Sequence, residues 1–536
     1  MPISPDWPWW KTAVIYHIYV RSFADSNGDG IGDLPGLIGR LDHFGEDGLA
    51  VDAIWLSPIF PSPDKDFGYD IADYCAIDPR YGSLADLDRL IQEAGRRGIR
   101  VLLDLAFNHT SSRHPWFLES RSRASNPKRD WYVWRPDRNG RPPNNWQSVF
   151  GGRAWTRDSL TGQYYHHHFL PEQPDLNWRN PEVRRALMDV VRFWLDRGVH
   201  GFRLDIFNAW YEHPEYPDNP RRLGLRAFDR QVHIHDIDQP EMFESLAELR
   251  ALLDTYPERV AVGELFGQDP YHAARYCGDD KLHMVFNFEF TRSPWKAGEL
   301  LKRSLRWEDA LGDSGWPCYV LGNHDLPRIV SRAGRGDPDA HAKLGAALLL
   351  TLRGTPFIYY GEEIGMSDIR LRRDQILDPP GKRYWPFYKG RDGCRSPMQW
   401  DDSVNAGFTT GKPWLPLHPD YAVRNAAAQR EDLNSVLAFY RALVRFRRRS
   451  AALRHGDFLP LPTDAPGSLA FLRRTASERV AVVLNLTPRN LRVRLEGLPA
   501  ISPWARVLSS EQDSKVSLDR DLVSLKSYEA AIFLSA

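Results

Sequence analysis

The chain has 536 residues, too many for one simple core, so two or three domains are expected. Lys plus Arg and Asp plus Glu both number 70, a balance that leaves no basic excess for nucleic acid or an anionic membrane surface. The four cysteines (Cys75, Cys277, Cys318, Cys394) are far apart with no CxxC pair, which argues against a disulfide framework and for free thiols in a reducing compartment. The opening Met-Pro-Ile-Ser-Pro-Asp-Trp lacks the basic and apolar regions of a signal peptide, and no uncharged apolar run reaches the ~18 residues of a membrane span, so a soluble cytoplasmic protein is expected. The 19 Trp, 21 Tyr and 25 Phe suit either core packing or platforms for sugar rings; their number alone does not choose.

From Ala13 onward, short apolar runs of strand character alternate with helical patterns. The strand candidates, in order, are Ala13–Phe23, Ala53–Phe60, Arg100–Phe107, Gly201–Asp205, Val260–Leu265, Met284–Phe290, Cys318–Asn323 and Pro356–Gly361. Just after the first comes Asp25-Ser-Asn27-Gly-Asp29-Gly-Ile31-Gly-Asp33, which places oxygen ligands at alternate positions around glycines. That suits a hard cation such as Ca²⁺ (Mg²⁺ is the alternative), with Ile31 offering its carbonyl; position twelve is Gly36 and not a bidentate Glu, so the loop is not a complete EF-hand. Leu84–Arg97 carries one apolar face of Leu84, Leu87, Leu90, Ile91 and Ala94, and Pro181–Arg197 has Asn180 as its N-cap and Pro181 at the first helical position. Eight β/α units predict a parallel (β/α)8 barrel.

The spacing breaks once, after the third strand, where some 70 residues rich in Trp, Pro, Asn, Arg and His read as an inserted domain over the carboxyl end of the barrel. Within it, His166-His167-His168 are adjacent; neighbours on a strand point to opposite faces, so the three are not expected to share one metal ion. A helix at Leu433–Arg447 closes the barrel, and the Arg445–Arg449 run is expected to be a solvated face. Beyond Ala452 come strands at Leu469–Leu472, Val480–Leu486, Leu491–Leu495 and Ala530–Leu534. The expected division is residues 1–108 and 179–451 for the barrel, 109–178 for the insertion and 452–536 for a C-terminal antiparallel β-sandwich.

In such a barrel the active site lies where the strands end. Several candidate strands run into polar clusters: Asp104-Leu-Ala-Phe-Asn108-His109, Arg203-Leu-Asp205, Gly263-Glu264 and Asn323-His324-Asp325. Alternation puts Arg203 and Asp205 on one face of their strand and Phe202 and Leu204 on the other, so Arg203 is expected to hold Asp205 ionised. Glu264 has apolar neighbours, Val262, Leu265 and Phe266, and no basic residue beside it, a setting that raises a carboxyl pKa. A charged carboxylate facing a protonated one is the equipment for glycoside hydrolysis.

In their order along the chain these clusters resemble the signature regions of the α-amylase family, glycoside hydrolase family 13. Gln173-Pro-Asp-Leu-Asn-Trp178 resembles that family's segment in the inserted domain, and Asp66-Phe-Gly-Tyr69-Asp with Arg395-Ser-Pro-Met-Gln-Trp400 resembles its oligo-1,6-glucosidase and α-glucosidase branch. The resemblance runs from about Trp9 to Phe446; the C-terminal domain matches by position only. It implies Asp205 as nucleophile, Glu264 as acid/base and Asp325 as transition-state stabiliser. It further implies that Asp66 and Arg395 pair at the closed end of the pocket, that Tyr69 stacks under the sugar, and that His109, Arg203, His324 and the apolar wall Phe169 complete the first subsite. It extends a structural cation to Asp25, Asn27, Asp29, Ile31 and Asp33.

The implied activity is a retaining, exo-acting α-glucosidase releasing α-D-glucose from short α-glucosides. A transglucosylase or sucrose isomerase on the same scaffold shares every catalytic residue. A non-catalytic relative, such as the transporter-associated subunits of this fold, is disfavoured by the three retained carboxylates and the absence of a membrane segment. Ile206, next to the nucleophile, stands where bulky branched residues accompany α-1,6 activity in such enzymes and so leans away from a strict maltase.

Overall fold

Eight short parallel strands form the centre of the molecule: β1 (Ile15–Ile18), β2 (Ala53–Leu56), β3 (Arg100–Ala106), β4 (Gly201–Asp205), β5 (Val260–Gly263), β6 (Met284–Val285), β7 (Cys318–Val320) and β8 (Thr355–Tyr359). The computed structural model describes residues 7–267, 269–334, 336–499, 503–511 and 514–535. Neighbours follow the order β7-β8-β1-β2-β3-β4-β5-β6, every ladder parallel, which is a (β/α)8 barrel. The strands are shorter than the apolar runs suggest; β1, for example, gives way to a tight helical turn at Val20–Ser22.

Both faces of these strands are buried, because helices cover the outside and side chains fill the inside. On β4, Phe202 and Leu204 join the outer layer with Leu87, Leu90, Val183, Leu187 and Trp194. The barrel interior is a second apolar cluster that includes Ile15, Ala53, Trp55, Leu102, Val260, Val262, Met284 and Phe357. The helices begin where their capping residues say they should. The Ser83 side chain accepts from Asp86 N in a capping box opening Leu84–Arg96, and Asn180 accepts from Glu182 N ahead of Pro181–Asp196.

Between β3 and Pro181 lie three short antiparallel strands, with Tyr164–His166 between Trp134–Arg135 and Trp155–Arg157. After the barrel, the helix Val436–Arg449 leads into two antiparallel sheets. The larger has five strands: Asp457–Pro460, Ser468–Arg474, Arg479–Asn485, Ala530–Ser535 and Ala505–Ser509. The smaller has Leu491–Arg494, Leu522–Leu525 and Leu518–Asp519. The strands absent from the sequence reading are the half-exposed or very short ones, whose side chains show little apolar alternation.

The arginine run on the closing helix departs from expectation. Arg448 reaches Glu46 from the surface, but Arg447 is fully buried and donates to the carbonyls of Leu350 (2.8 Å), Leu352 (3.3 Å) and Gly354. Those carbonyls lie where the helix Pro338–Thr351 ends before β8, so a helix terminus is satisfied by a side chain from another element. Arg473, also buried, extends the theme from the C-terminal sheet by donating to Thr351 O (2.8 Å) and Gly456 O (2.9 Å). Substituting Arg447→Met is expected to leave these carbonyls without a donor and to cost at least about 2 kcal/mol, read as a lower urea midpoint at unchanged slope; an unchanged midpoint would contradict the assignment.

Candidate active site

The register of the barrel brings the first polar layer together. β3 and β4 pair Asp104 with Arg203 and Ala106 with Asp205, while β4 and β5 pair Leu204 with Gly263, so Glu264 follows beside Asp205. A Cβ on Gly263 would lie 2.4 Å from the Phe207 ring, so only glycine lets the turn after β4 pack under Glu264. At the centre is Arg203, with no exposed surface. Its Nη1 meets Asp104 Oδ1 at 2.6 Å and Asp205 Oδ1 at 2.8 Å, and its Nη2 bonds Glu264 Oε2. Tyr69 Oη donates to Asp104 Oδ2 at 3.0 Å and lies 2.7 Å from His324 Nε2, with its ring parallel to His324 at a centroid distance of 5.4 Å.

This shared guanidinium changes the electrostatic expectation. Glu264 has no basic neighbour in sequence, yet it bonds Arg203 in space. Burial raises the Glu264 pKa, Arg203 opposes it, and the charge of Asp325 adds to the rise. Asp205 does pair with Arg203, but the cation is divided among three carboxylates. Burial, with repulsion from Glu264, Asp104 and Asp325, therefore outweighs the arginine and raises Asp205 too. Two carboxyls competing for one cation titrate as a pair.

A second layer lies one turn further out. Asp325 takes Arg395 Nη2 at 2.8 Å and Arg391 Nη1 at 3.3 Å, with His324 Nε2 at 3.5 Å. Burial would raise its pKa, but His324, Arg391 and Arg395 hold it well below the usual carboxylate range. The expected Asp66–Arg395 pair is not formed. Arg395 is committed to Asp325 and to His324 O (2.7 Å), and Asp66 pairs instead with Arg391 at 2.6 Å, which also holds Asp378 at 2.7 Å. Arg391 was missed in the sequence reading; its signal was its place four residues before Arg395 in the same segment. Gln173 is a further link, its Nε2 3.2 Å from Asp66 Oδ2 and 3.0 Å from His109 Nε2. Burial lowers the pKa of His109 to about 4 and of His324 to about 3, so both are neutral rings.

These groups bound a cavity of about 580 Å³, lined among others by Asp66, Tyr69, His109, Asp205, Glu264 and Asp325. Phe169 forms its apolar side, edge-on to His109 at 5.1 Å and stacked on Phe266 at 5.9 Å. Arg203, His324 and Arg395 are almost wholly buried and support the cavity from behind. Ile206 lines it too, in a left-handed conformation (φ 32°, ψ 53°) rare for a β-branched residue.

The loop Asp25–Asp33 is folded by its own side chains. Asp25 accepts from the amides of Asn27, Gly28 and Gly30, Asn27 from Asp29 N, and Asp29 from Ile31 N, while Asp33 caps the helix Leu34–Ile38. In the histidine run, His167 turns to Phe169 O (2.9 Å) and Thr156 Oγ1 (3.0 Å). His166 and His168 share the opposite face with Asp175. Three do not converge, as the strand geometry required, but two do.

The barrel with carboxylates on its carboxyl rim defines a glycoside hydrolase of the α-amylase type. The α-amylase catalytic domain matches residues 17–456, and the chain belongs to that family. It is 45% identical over 505 residues to a probable α-glucosidase of Rhizobium meliloti, covering 90% of each chain. It is 40% identical over 561 residues to an oligo-1,6-glucosidase of Parageobacillus thermoglucosidasius, covering 98% of each. The solved structure of the α-glucosyl transfer enzyme XgtA superposes with a TM-score of 0.93 at 43% identity, covering 99% of this chain and 100% of that one.

The raised pKa of Glu264 has a consequence for stability. A carboxyl whose folded pKa exceeds its unfolded value destabilises the fold increasingly as pH rises past the unfolded value, about 4.3 for Glu. Glu264→Gln removes that buried charge while Arg203 keeps Asp104 and Asp205. The variant is expected to melt above the parent at neutral pH, with the gap closing as the pH falls toward about 4. Calorimetry across that range checks it, and a variant less stable than the parent at neutral pH would contradict it.

Proposed function

We propose that this protein is a retaining, exo-acting α-glucosidase that releases α-D-glucose from short α-glucosides of the maltose, isomaltose and sucrose type. The observation that carries this reading is the single Arg203 fork holding Asp205 and Glu264 at the cavity. Carboxyls bound to the two nitrogens of one guanidinium are close neighbours, as a retaining mechanism needs: its pair stands about 5–5.5 Å apart, against about 6.5–9.5 Å in inverting enzymes.

In the proposed mechanism the Asp205–Glu264 pair holds one proton between them at neutral pH. When substrate enters, Glu264 gives that proton to the leaving oxygen as Asp205 attacks the anomeric carbon. Glu264 then removes a proton from water, which displaces Asp205 with net retention. Asp325, kept ionised by Arg391 and Arg395, grips sugar hydroxyls and favours the flattened transition state. Asp66, clamped by Arg391, closes the far end of the pocket and reads the terminal glucose, which restricts cleavage to chain ends. Tyr69 offers its ring, held from behind by His324, His109 binds a hydroxyl as a neutral group, and Phe169 excludes water.

The names of the relatives support hydrolysis of α-glucosidic bonds, α-1,6 among them, and the bulk of Ile206 also favours that linkage. The likeness to a glucosyl transfer enzyme favours transfer to a sugar acceptor as a second outcome at high substrate. The chain is proposed to divide at the boundaries expected from sequence, into barrel, insertion and C-terminal β domain. The four free cysteines support a reducing, cytoplasmic setting, and no helix among the described residues is long and apolar enough to cross a membrane.

The oxygen donors of Asp25, Asn27, Asp29 and Asp33, with the carbonyl of Ile31, fit a calcium ion, which we propose they hold. Such an ion supplies positive charge that ties the loop to itself and plays no part in bond cleavage. A chelator is expected to lower the melting temperature and added Ca²⁺ to restore it; no change on either step would remove the ion from the account.

Asp205→Asn is expected to lower kcat by roughly 10⁴-fold or more while the protein stays folded. NMR of the initial product of the parent should show α-glucose. Near-normal turnover in the variant, or β-glucose as first product, would overturn the mechanism. Glucose release from maltose, isomaltose, sucrose, trehalose and nigerose fixes the linkage.

A further inference from the structure

Behind the Phe169 wall, four side chains from three separate segments converge. His166 and His168 come from the end of the middle strand of the insertion, Asp175 from the return to the barrel, and Glu212 from the connection after β4. One donor atom from each lies within 4.8 Å of every other, and all four residues are buried. His166 Nδ1 is 2.8 Å from Asp175 Oδ2 and 3.4 Å from Glu212 Oε1, and His168 Nδ1 is 2.5 Å from the same Asp175 oxygen. We propose that these four residues form a second metal site, for a divalent transition metal of the zinc type, that pins the insertion to the barrel.

The protonation pattern argues for it. His168 Nε2 sits 2.9 Å from Asp236 O, and a carbonyl only accepts, so Nε2 carries the hydrogen. In the neutral ring Nδ1 then presents a lone pair toward a carboxylate oxygen, an arrangement that needs a cation. The ring nitrogens of His166 and Glu212 Oε1 are buried without a directed hydrogen bond among the described residues, despite their short separations. Buried donor atoms gathered within 4.8 Å of one another, with no directed hydrogen bond at His166 or at Glu212 Oε1 among the described residues, suit a shared ion. The charges also balance: two neutral imidazoles and two carboxylates leave two negative charges, the complement of one divalent ion.

His168 and Asp175 have the outer contacts of metal ligands. Ligating imidazoles donate their second N–H to a carbonyl or carboxylate, and ligating carboxylates are themselves hydrogen-bonded. His168 has Asp236 O, whose carboxylate is held by His233 at 2.8 Å. Asp175 Oδ1 accepts from Asn108 Nδ2 at 2.9 Å. Two imidazole nitrogens select a zinc-like ion over calcium, which separates this site from the all-oxygen loop at Asp25–Asp33.

Ligating imidazoles must be unprotonated, so metal binding here would compete with protons and strengthen as pH rises.

The test uses the full chain, stripped with dipicolinate, returned to excess Ca²⁺ so that the Asp25–Asp33 loop is filled, and titrated with Zn²⁺ or Co²⁺. One Zn²⁺ per chain by elemental analysis, a higher melting temperature and the visible spectrum of nitrogen-ligated Co²⁺ are expected, with affinity increasing with pH. Glu212→Gln, which preserves both imidazoles, should weaken Zn²⁺ binding at least about tenfold. His166→Gln should abolish stoichiometric binding while Ca²⁺ retention reports that the chain is folded. A stripped, folded chain that takes up no Zn²⁺ at pH ~8, or an equal stoichiometry in the parent and both variants, would overturn the site.

Discussion

The structure turns on one buried cation. Arg203 has no solvent and meets three carboxylates, Asp104, Asp205 and Glu264, through two nitrogens. Burying a guanidinium is costly unless its charge is met, and here acids from three adjacent strands meet it through both Nη nitrogens. The exchange is reciprocal. The acids need the arginine to enter the barrel interior, and the arginine sets their spacing. Because one cation faces three acids, burial outweighs it at Asp205 and at Glu264 and raises Asp104 to about 6. A private ion pair for Asp205 would hold its pKa down; under the shared one both Asp205 and Glu264 are raised, which suits the proton transfer proposed for the pair.

Asp325 shows the opposite balance from the same parts. Two guanidiniums, Arg391 and Arg395, meet one of its oxygens, so cations are in excess and the acid stays ionised. Arg391 also bridges Asp66 and Asp378, and therefore couples Asp325 to the carboxylate proposed to close the pocket. The two layers differ by stoichiometry: too few cations for the acids around Arg203, enough for Asp325, which matches the roles proposed for them. A rigid arginine fork suits both, since it fixes the direction of two acids at once.

Much of this was legible in the chain. The eight strands, the two capped helices and the polar ends of β3, β4, β5 and β7 follow from periodicity, because parallel strands buried on both faces read as unbroken apolar runs. What sequence could not supply was the partner of each charge. Asp66 was matched with Arg395, whereas Arg391 holds it; the two arginines are four residues apart, and only the tertiary path decides which one reaches which acid. Glu264 looked isolated because its cation is on a neighbouring strand. Arg447 looked solvated because its neighbours in sequence are, yet it lies against the barrel and satisfies the end of another helix. The histidine run was judged by its consecutive members, and the useful unit was every second one, joined by acids distant in sequence.

Ile206 links these layers to selectivity. A β-branched residue at φ 32° is strained by about 1–3 kcal/mol, which persists only where the surroundings over-determine it. Here they do: Phe207 N donates to Glu264 O at 3.1 Å, which fixes the turn after β4, and the Ile206 side chain packs with Phe169 and Ala209. The turn that aims Asp205 thus also presses Ile206 against the wall supplied by the insertion. A smaller residue would relieve the strain but leave space beside Phe169, so the backbone that positions the proposed nucleophile and the apolar wall of the cavity cannot be tuned independently. The segment carrying Phe169 is the one that His166, His168 and Asp175 anchor, which makes the position of that wall depend on what neutralises two buried carboxylates behind it.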